Sequence, residues 1–172
     1  MSKKPADPAN GGASAARQVP MRDFSRSLPM SLLRAREAVM RQFRPNLREH
    51  GLTEQQWRIL RALASIEAAE VTELARTAFL LGPSLSRILR DLEARNLIER
   101  KTAKADQRRS MVSISKEGVK LMASVAPNSE AIYAEITRRF GARKLAELQE
   151  MLGELEQSLA ELGAGEEASA EE

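Results

Sequence analysis

The sequence predicts a mainly α-helical fold broken once by a small β-hairpin, and three observations carry that prediction. Aromatic residues make up only 3% of the 172, while 42% are hydrophobic and 30% charged, a balance suited to amphipathic helices. Apolar residues recur at intervals of three and four over most of the chain, which gathers them on one helical face. Only between Leu97 and Ile114 does the pattern shorten to brief segments rich in β-branched residues. The length leaves room for one compact domain, or for two small lobes sharing a core.

Residues 1–22 are rich in Ala, Pro, Gly and Ser, too poor in apolar surface to offset the entropy of ordering; a disordered arm is expected there, followed by a folded unit over 23–162. Leu28, Leu32, Ala35, Val39 and Phe43 predict a first helix over 28–49, which Pro45 would kink or interrupt. Thr53 with Gln56 three residues on forms a capping box that starts a second helix, with Trp57, Leu60, Leu63 and Ala64 as its buried stripe. Thr72 is expected to cap a short third helix with Leu74, Ala75 and Ala78 inward. The run Phe79-Leu80-Leu81-Gly82-Pro83 ends it, and Pro83 suits the first turn of a fourth. In that helix Leu85, Ile88, Leu89 and Leu92 fall at i, i+3, i+4 and i+7, leaving Ser84, Ser86, Arg87, Arg90 and Asp91 on other faces.

Leu97–Lys101 and Ser110–Ile114 then read as hairpin strands around a long, charged tip. Ser115 starts a long helix through Phe140, with Val125, Ile132, Ile136 and Phe140 inward and a bend near Pro127. A final helix runs from Ala142 to Leu162, and the glutamate-rich 163–172 is expected to be a disordered acidic tail. Within the final helix Leu145, Leu148, Leu152, Leu155, Leu159 and Leu162 alternate at spacings of three and four, the narrow stripe of a helix that packs on other helices. A homodimer formed through the terminal helices follows, with intramolecular packing alone as the other possibility.

Two short helices on a tight connection, followed by a charged hairpin, make the arrangement of a winged helix-turn-helix: the second helix enters a major groove and the hairpin reaches backbone or minor groove. From Arg76 to Arg109 nine cations stand against four carboxylates, so this stretch is the one fit to face phosphate. Ser84, Ser86, Arg87 and Arg90 supply donors for base edges and phosphates, with Arg87 the foremost base contact. At the tip, Lys104, Arg108 and Arg109 concentrate cations where a narrow minor groove attracts them, and Asp106 can orient a neighbouring guanidinium.

Other classes find little support. With no cysteine and His50 the only histidine, neither a thiolate site nor a nitrogen-rich metal centre is available, so no metal or cofactor is expected. No P-loop, dinucleotide fingerprint or cysteine nucleophile occurs and only one histidine is left for general-base work, so the chain is not expected to be an enzyme. No apolar run reaches the length of a membrane span, and the first 22 residues lack the apolar core of a signal peptide, so the cytoplasm is expected. The remaining alternative is a dimeric helical adaptor that binds protein rather than DNA.

Asp106-Gln107-Arg108, followed by Val112-Ser113-Ile114-Ser115-Lys116-Glu117-Gly118, resembles the wing and following helix start of the MarR family, and the resemblance extends over residues 28–162. Leu28-Pro29-Met30-Ser31-Leu32-Leu33-Arg34-Ala35-Arg36-Glu37-Ala38, Phe43-Arg44-Pro45 and His50-Gly51-Leu52-Thr53-Glu54-Gln55-Gln56-Trp57-Arg58 are similar to members that regulate homoprotocatechuate (3,4-dihydroxyphenylacetate) degradation. The resemblance implies an intertwined dimer with dimerisation helices over about 28–49 and 116–162 and a DNA-binding lobe over about 53–115. It implies two lobes on successive major grooves of a pseudo-palindromic operator, with Arg108 in the minor groove. It further implies a repressor of an aromatic-acid catabolic operon, released by a small phenolic acid bound between the dimer helices and the lobe. Such a ligand needs a guanidinium for its carboxylate, polar partners for its hydroxyls and apolar walls for its ring; Ser31, Arg34, Arg36, His50 and Trp57 are the candidates. Arg34 and Arg36 diverge by roughly 200° around a helix, so at most one points straight into a given cleft.

Overall fold

The computed structural model describes residues 23–103 and 106–170, with 102, 103, 106–109 and 161–170 as backbone alone. Its elements are α1 (Leu28–Glu49), α2 (Glu54–Ala64), β1 (Ala69–Glu70), α3 (Val71–Thr77), α4 (Gly82–Ala94), β2 (Ile98–Ala103), β3 (Asp106–Ile114), α5 (Lys116–Phe140) and α6 (Ala142–Ala170). By internal contacts the chain divides into two units, one ending at Val39 and one beginning at Met40.

In the first unit a 3-10 turn, Phe24–Arg26, is capped by Asp23, whose carboxylate accepts from Ser25 N–H at 2.7 Å and Ser25 Oγ at 2.6 Å. Those hydrogen bonds hold the Asp23 carboxyl below its ordinary pKa. The opening of α1 leaves Leu28, Leu32, Leu33 and Val39 exposed.

In the second unit, α1 continues past Pro45 without interruption and buries Phe43, Asn46 and Leu47. The Phe43 ring lies 4.9 Å from that of Tyr133 on α5, and Asn46 Nδ2 donates to Val125 O at 3.2 Å and Ser129 Oγ at 3.3 Å. The capping box starts α2 as expected: Gln56 N–H donates to Thr53 Oγ1 at 3.2 Å while Thr53 N–H donates to Gln56 Oε1 at 2.8 Å. Its buried side is Gln56, Ile59, Leu60 and Leu63; Trp57 is half-buried and Ala64 exposed, a correction to the expected stripe. With Leu52, Leu74, Leu85, Leu89, Leu92, Ile98, Val112 and Val125 these leucines and Ile59 form a single core.

The hairpin belongs to a three-stranded antiparallel sheet, ordered β1-β3-β2. The sequence did not reveal β1, whose two residues pair with Val112 and Met111. Because β1 runs directly into α3, that helix starts at Val71 with Glu70 in the cap position, not with Thr72 as its cap. The strands of the wing reach further than expected: β2 continues to Ala103 and β3 begins at Asp106, with a bulge between Thr102 and Ala103.

Three helices stop in the same way. After α1, α3 and α4 the backbone turns left-handed at Gly51 (φ 65°), Phe79 (φ 50°) and Asn96 (φ 55°). In each case the next N–H reaches back five residues: Leu52 to Leu47 O at 2.8 Å, Leu80 to Ala75 O at 3.0 Å and Leu97 to Leu92 O at 2.9 Å. This is the Schellman motif.

Ser115 caps α5 by accepting from Gly118 N–H at 2.9 Å, and its own hydroxyl donates to Asn96 O at 2.6 Å. Pro127 lies inside α5 without ending it, and Phe140 is exposed where an inward position was expected. The last helix, α6, runs on to Ala170, through the stretch expected to be a disordered tail from 163. On it Leu148, Met151, Leu152 and Leu159 are exposed. The arm over 1–22 lies outside the described residues.

Candidate DNA interface and effector cleft

α4 has two chemically opposite faces. Leu85, Leu89 and Leu92 are fully buried, while Ser84, Ser86, Arg87 and Arg90 are exposed. The helix opens without a side-chain cap, with Pro83 in its first turn. A hollow of about 540 Å³ lies beside it, lined by Ser84 and Arg87 of α4 and by Thr53 and Gln55 at the head of α2.

The wing stands on the same lobe, since β2 and β3 pack Ile98 and Val112 into the core that holds α4. Of the wing candidates, Asp106, Arg108 and Arg109 lie in β3 and not in a loop; their side chains, like Lys104 as a whole, lie outside the described residues. Nearer the base, Arg100 pairs with Glu93 at 3.8 Å and Lys101 with Glu99 at 3.4 Å.

A second cleft, of about 380 Å³, separates α2 from α5. Val119, Met122, Ala123 and Ala126 of α5 make its apolar wall; Trp57 and Arg61 of α2 face them, with Ser129 and Glu130 among its polar groups. The Arg61 guanidinium lies 5.9 Å from the Trp57 ring centroid, within reach of a cation–π contact. Together they offer an aromatic wall and a cation, the complements of a ring bearing a carboxylate.

Of the five effector candidates, Trp57 lines this cleft. His50 turns back on its own helix end, its Nδ1 donating to Asn46 O at 2.9 Å. In the first unit, Ser31 Oγ donates to Ser27 O at 3.1 Å, Arg34 donates to Ser25 O at 2.5 Å, and Arg36 pairs with Glu37 at 2.9 Å. Arg61 escaped sequence reasoning although its signal was present: it stands four residues after Trp57, one turn along the same helix face.

Comparison with known proteins places this geometry. The model of the MarR family matches residues 50–109. The homoprotocatechuate degradative operon repressor of Escherichia coli is 41% identical over 128 residues, 74% of this chain and 86% of that protein. Among solved structures, a transcriptional regulator 44% identical superposes with a TM-score of 0.74, over 76% of this chain and 96% of its own. NadR in complex with 4-hydroxyphenylacetate is 37% identical, with a TM-score of 0.69 over 80% of this chain and 97% of its own.

Proposed function

The chain belongs to the MarR family of transcriptional regulators, and we propose that it is a homodimeric repressor of an aromatic-acid catabolic operon. In this reading α4 and the β2–β3 wing hold a pseudo-palindromic operator, and a small phenolic acid in the α2–α5 cleft releases it. The observation that carries the DNA half is the division of α4, whose leucines are spent on the core while Ser84, Ser86, Arg87 and Arg90 stand free of it. Arg87 is positioned to read a base edge, and Lys104, Arg108 and Arg109, with Asp106 beside them, serve phosphate and minor groove.

The lobe spans about 53–115 and the dimerisation helices about 28–49 and 116–162. The exposed leucines of α6 and of the opening of α1 find their cover on a second copy, which sets two lobes a helical turn apart. The effector half rests on Trp57 and Arg61, with the relatives' names and the phenolic ligand of NadR giving the ligand class. Ser31, Arg34, Arg36 and His50 are further candidates for the ligand's polar groups. No described helix is long and apolar enough to cross a membrane, and the cytoplasm is the compartment in which such a repressor acts.

Gel-shift titrations against genomic fragments at about 50 and 200 mM salt test the reading. A few fragments should bind, and weaken steeply with salt. Arg108→Ala should lower the salt slope by about one, whereas Arg87→Ala should relax base preference. A protein that retards no fragment is instead a helical adaptor.

A further inference from the structure

Three consecutive residues of α2 point to how occupation of the cleft reaches the reading helix. Gln56 is only 7% exposed, and its side chain works in two directions. Its carbonyl closes the capping box with Thr53, and its Nε2 donates to Asp91 Oδ2 of α4 at 2.5 Å. Two residues on, Arg58 Nη1 donates at 2.7 Å to Ala78 O, the carbonyl that ends α3, while Nη2 pairs with Glu54 at 3.2 Å. Between them Trp57 lines the cleft.

Asp91 also faces Arg95 at 3.7 Å, and Arg95 donates to Gly51 O at 2.9 Å. The far half of α4 is therefore tied to the α1–α2 corner by directed polar contacts as well as by leucine packing. Directed hydrogen bonds fix distance and orientation, where apolar contacts permit sliding.

We propose that Gln56 and Arg58 are positioning residues that clamp α4 and α3 to α2, so that an aromatic acid displacing Trp57 moves the reading helix with it. The inference rests on the effector reading above and names its transmission. A ligand shifts an equilibrium only by its differential affinity for two arrangements. The clamp supplies the difference: the arrangement that admits the ring beside Trp57 is the one in which α4 leaves its DNA-ready place. Without the clamp, α2 adjusts to the ligand while α4 stays on its leucines.

The test uses the full chain, its selected duplex and 4-hydroxyphenylacetate with 3,4-dihydroxyphenylacetate as probes. Gln56→Glu keeps the capping box, because glutamate accepts from Thr53 N–H equally well, but sets a carboxylate against Asp91. Adding Asp91→Asn restores the bond with its polarity reversed, the new amide donating to the new carboxylate. In the wild type, ligand should weaken duplex binding by a factor within the usual range of about 5 to 150.

Gln56→Glu should cut that factor to about twofold or less while ligand affinity for the free protein changes by less than about threefold, and the double variant should recover most of the wild-type factor. An unchanged factor in Gln56→Glu, or no recovery in the double variant, overturns the clamp alone. A wild type that binds its duplex equally with and without either acid overturns the effector reading, and the clamp falls with it.

Discussion

Gly118→Ala tests the join between the wing and the dimerisation helices. A Cβ at position 118 would stand 2.2 Å from Leu97 O and 2.8 Å from Ile114 Cγ1. Ordinary contact starts at 3.4 Å, so α5 must withdraw from the base of the hairpin by about 1.2 Å. The carbonyl in the way also accepts Ser115 N–H at 3.1 Å, and Ser115 links Gly118 to Asn96, so the withdrawal strains the cap as well as the packing. Overpacking against backbone costs about 3 kcal/mol and a weakened hydrogen bond about 1, offset by about 1 from the better helix propensity of alanine. A net loss of about 3 kcal/mol lowers Tm by roughly 6–12 °C in a chain of this size.

Thermal unfolding at one fixed protein concentration measures it, since association shifts Tm by mass action. Gly153→Ala is the control: nothing lies within 4 Å of a Cβ there, so Tm should rise by about 2–4 °C from propensity alone. A Gly118→Ala protein melting within about 2 °C of wild type would refute the reasoning.

Other outcomes follow from the same structure. Arg61→Met keeps the aliphatic stem but removes the guanidinium beside Trp57, and should raise the Kd for 4-hydroxyphenylacetate by about 10- to 100-fold in calorimetric titration, leaving duplex affinity near wild type. Leu152→Asp places a charge on the exposed leucine stripe of α6; sedimentation should show a monomer where the wild type is a dimer. Glu135 accepts from Arg138 at 2.8 and 2.7 Å and also from Arg139, which pulls its pKa from 4.5 to about 2. These pairs should be intact above pH 4.5 and lost as pH falls through about 2, with the carboxyl carbon resonance titrating there and moving back up in an Arg138→Ala variant.

What was legible in the sequence was what local chemistry writes. The Thr53–Gln56 box and the Ser115 start are set by side chains within four residues of the backbone they cap, and periodicity gave the range of α1 and placed Leu85, Leu89 and Leu92 in the core. β1 was invisible because two residues have no period; only its partners Val112 and Met111, some forty positions on, make it a strand. Thr72 has a capping side chain, but the β1–β3 pairing had already fixed where α3 begins, and tertiary structure prevailed over propensity.

The stripes of α1 and α6 were correctly seen as apolar, yet periodicity cannot distinguish a face buried in one's own chain from one left for a second. The cleft shows the same limit. Trp57 was picked for its ring and Arg61 was legible as its neighbour one turn on, but the cleft between them and α5 exists only once α5 closes the far wall.

Of the three matching helix stops, two carry residues at ease in the left-handed region, glycine at 51 and asparagine at 96. The third sets a phenylalanine there, 79% exposed, and a bulky residue in that conformation costs about 1–2 kcal/mol. The strain at Phe79 makes the corner leading into the reading helix the one expected to open before those at Gly51 and Asn96, with Arg58 holding Ala78 O against it. Amide hydrogens between Thr77 and Leu81 should trade with solvent sooner than those around Gly51 or Asn96. A sensor that re-aims one helix while its scaffold holds still gains from having its slack in that corner.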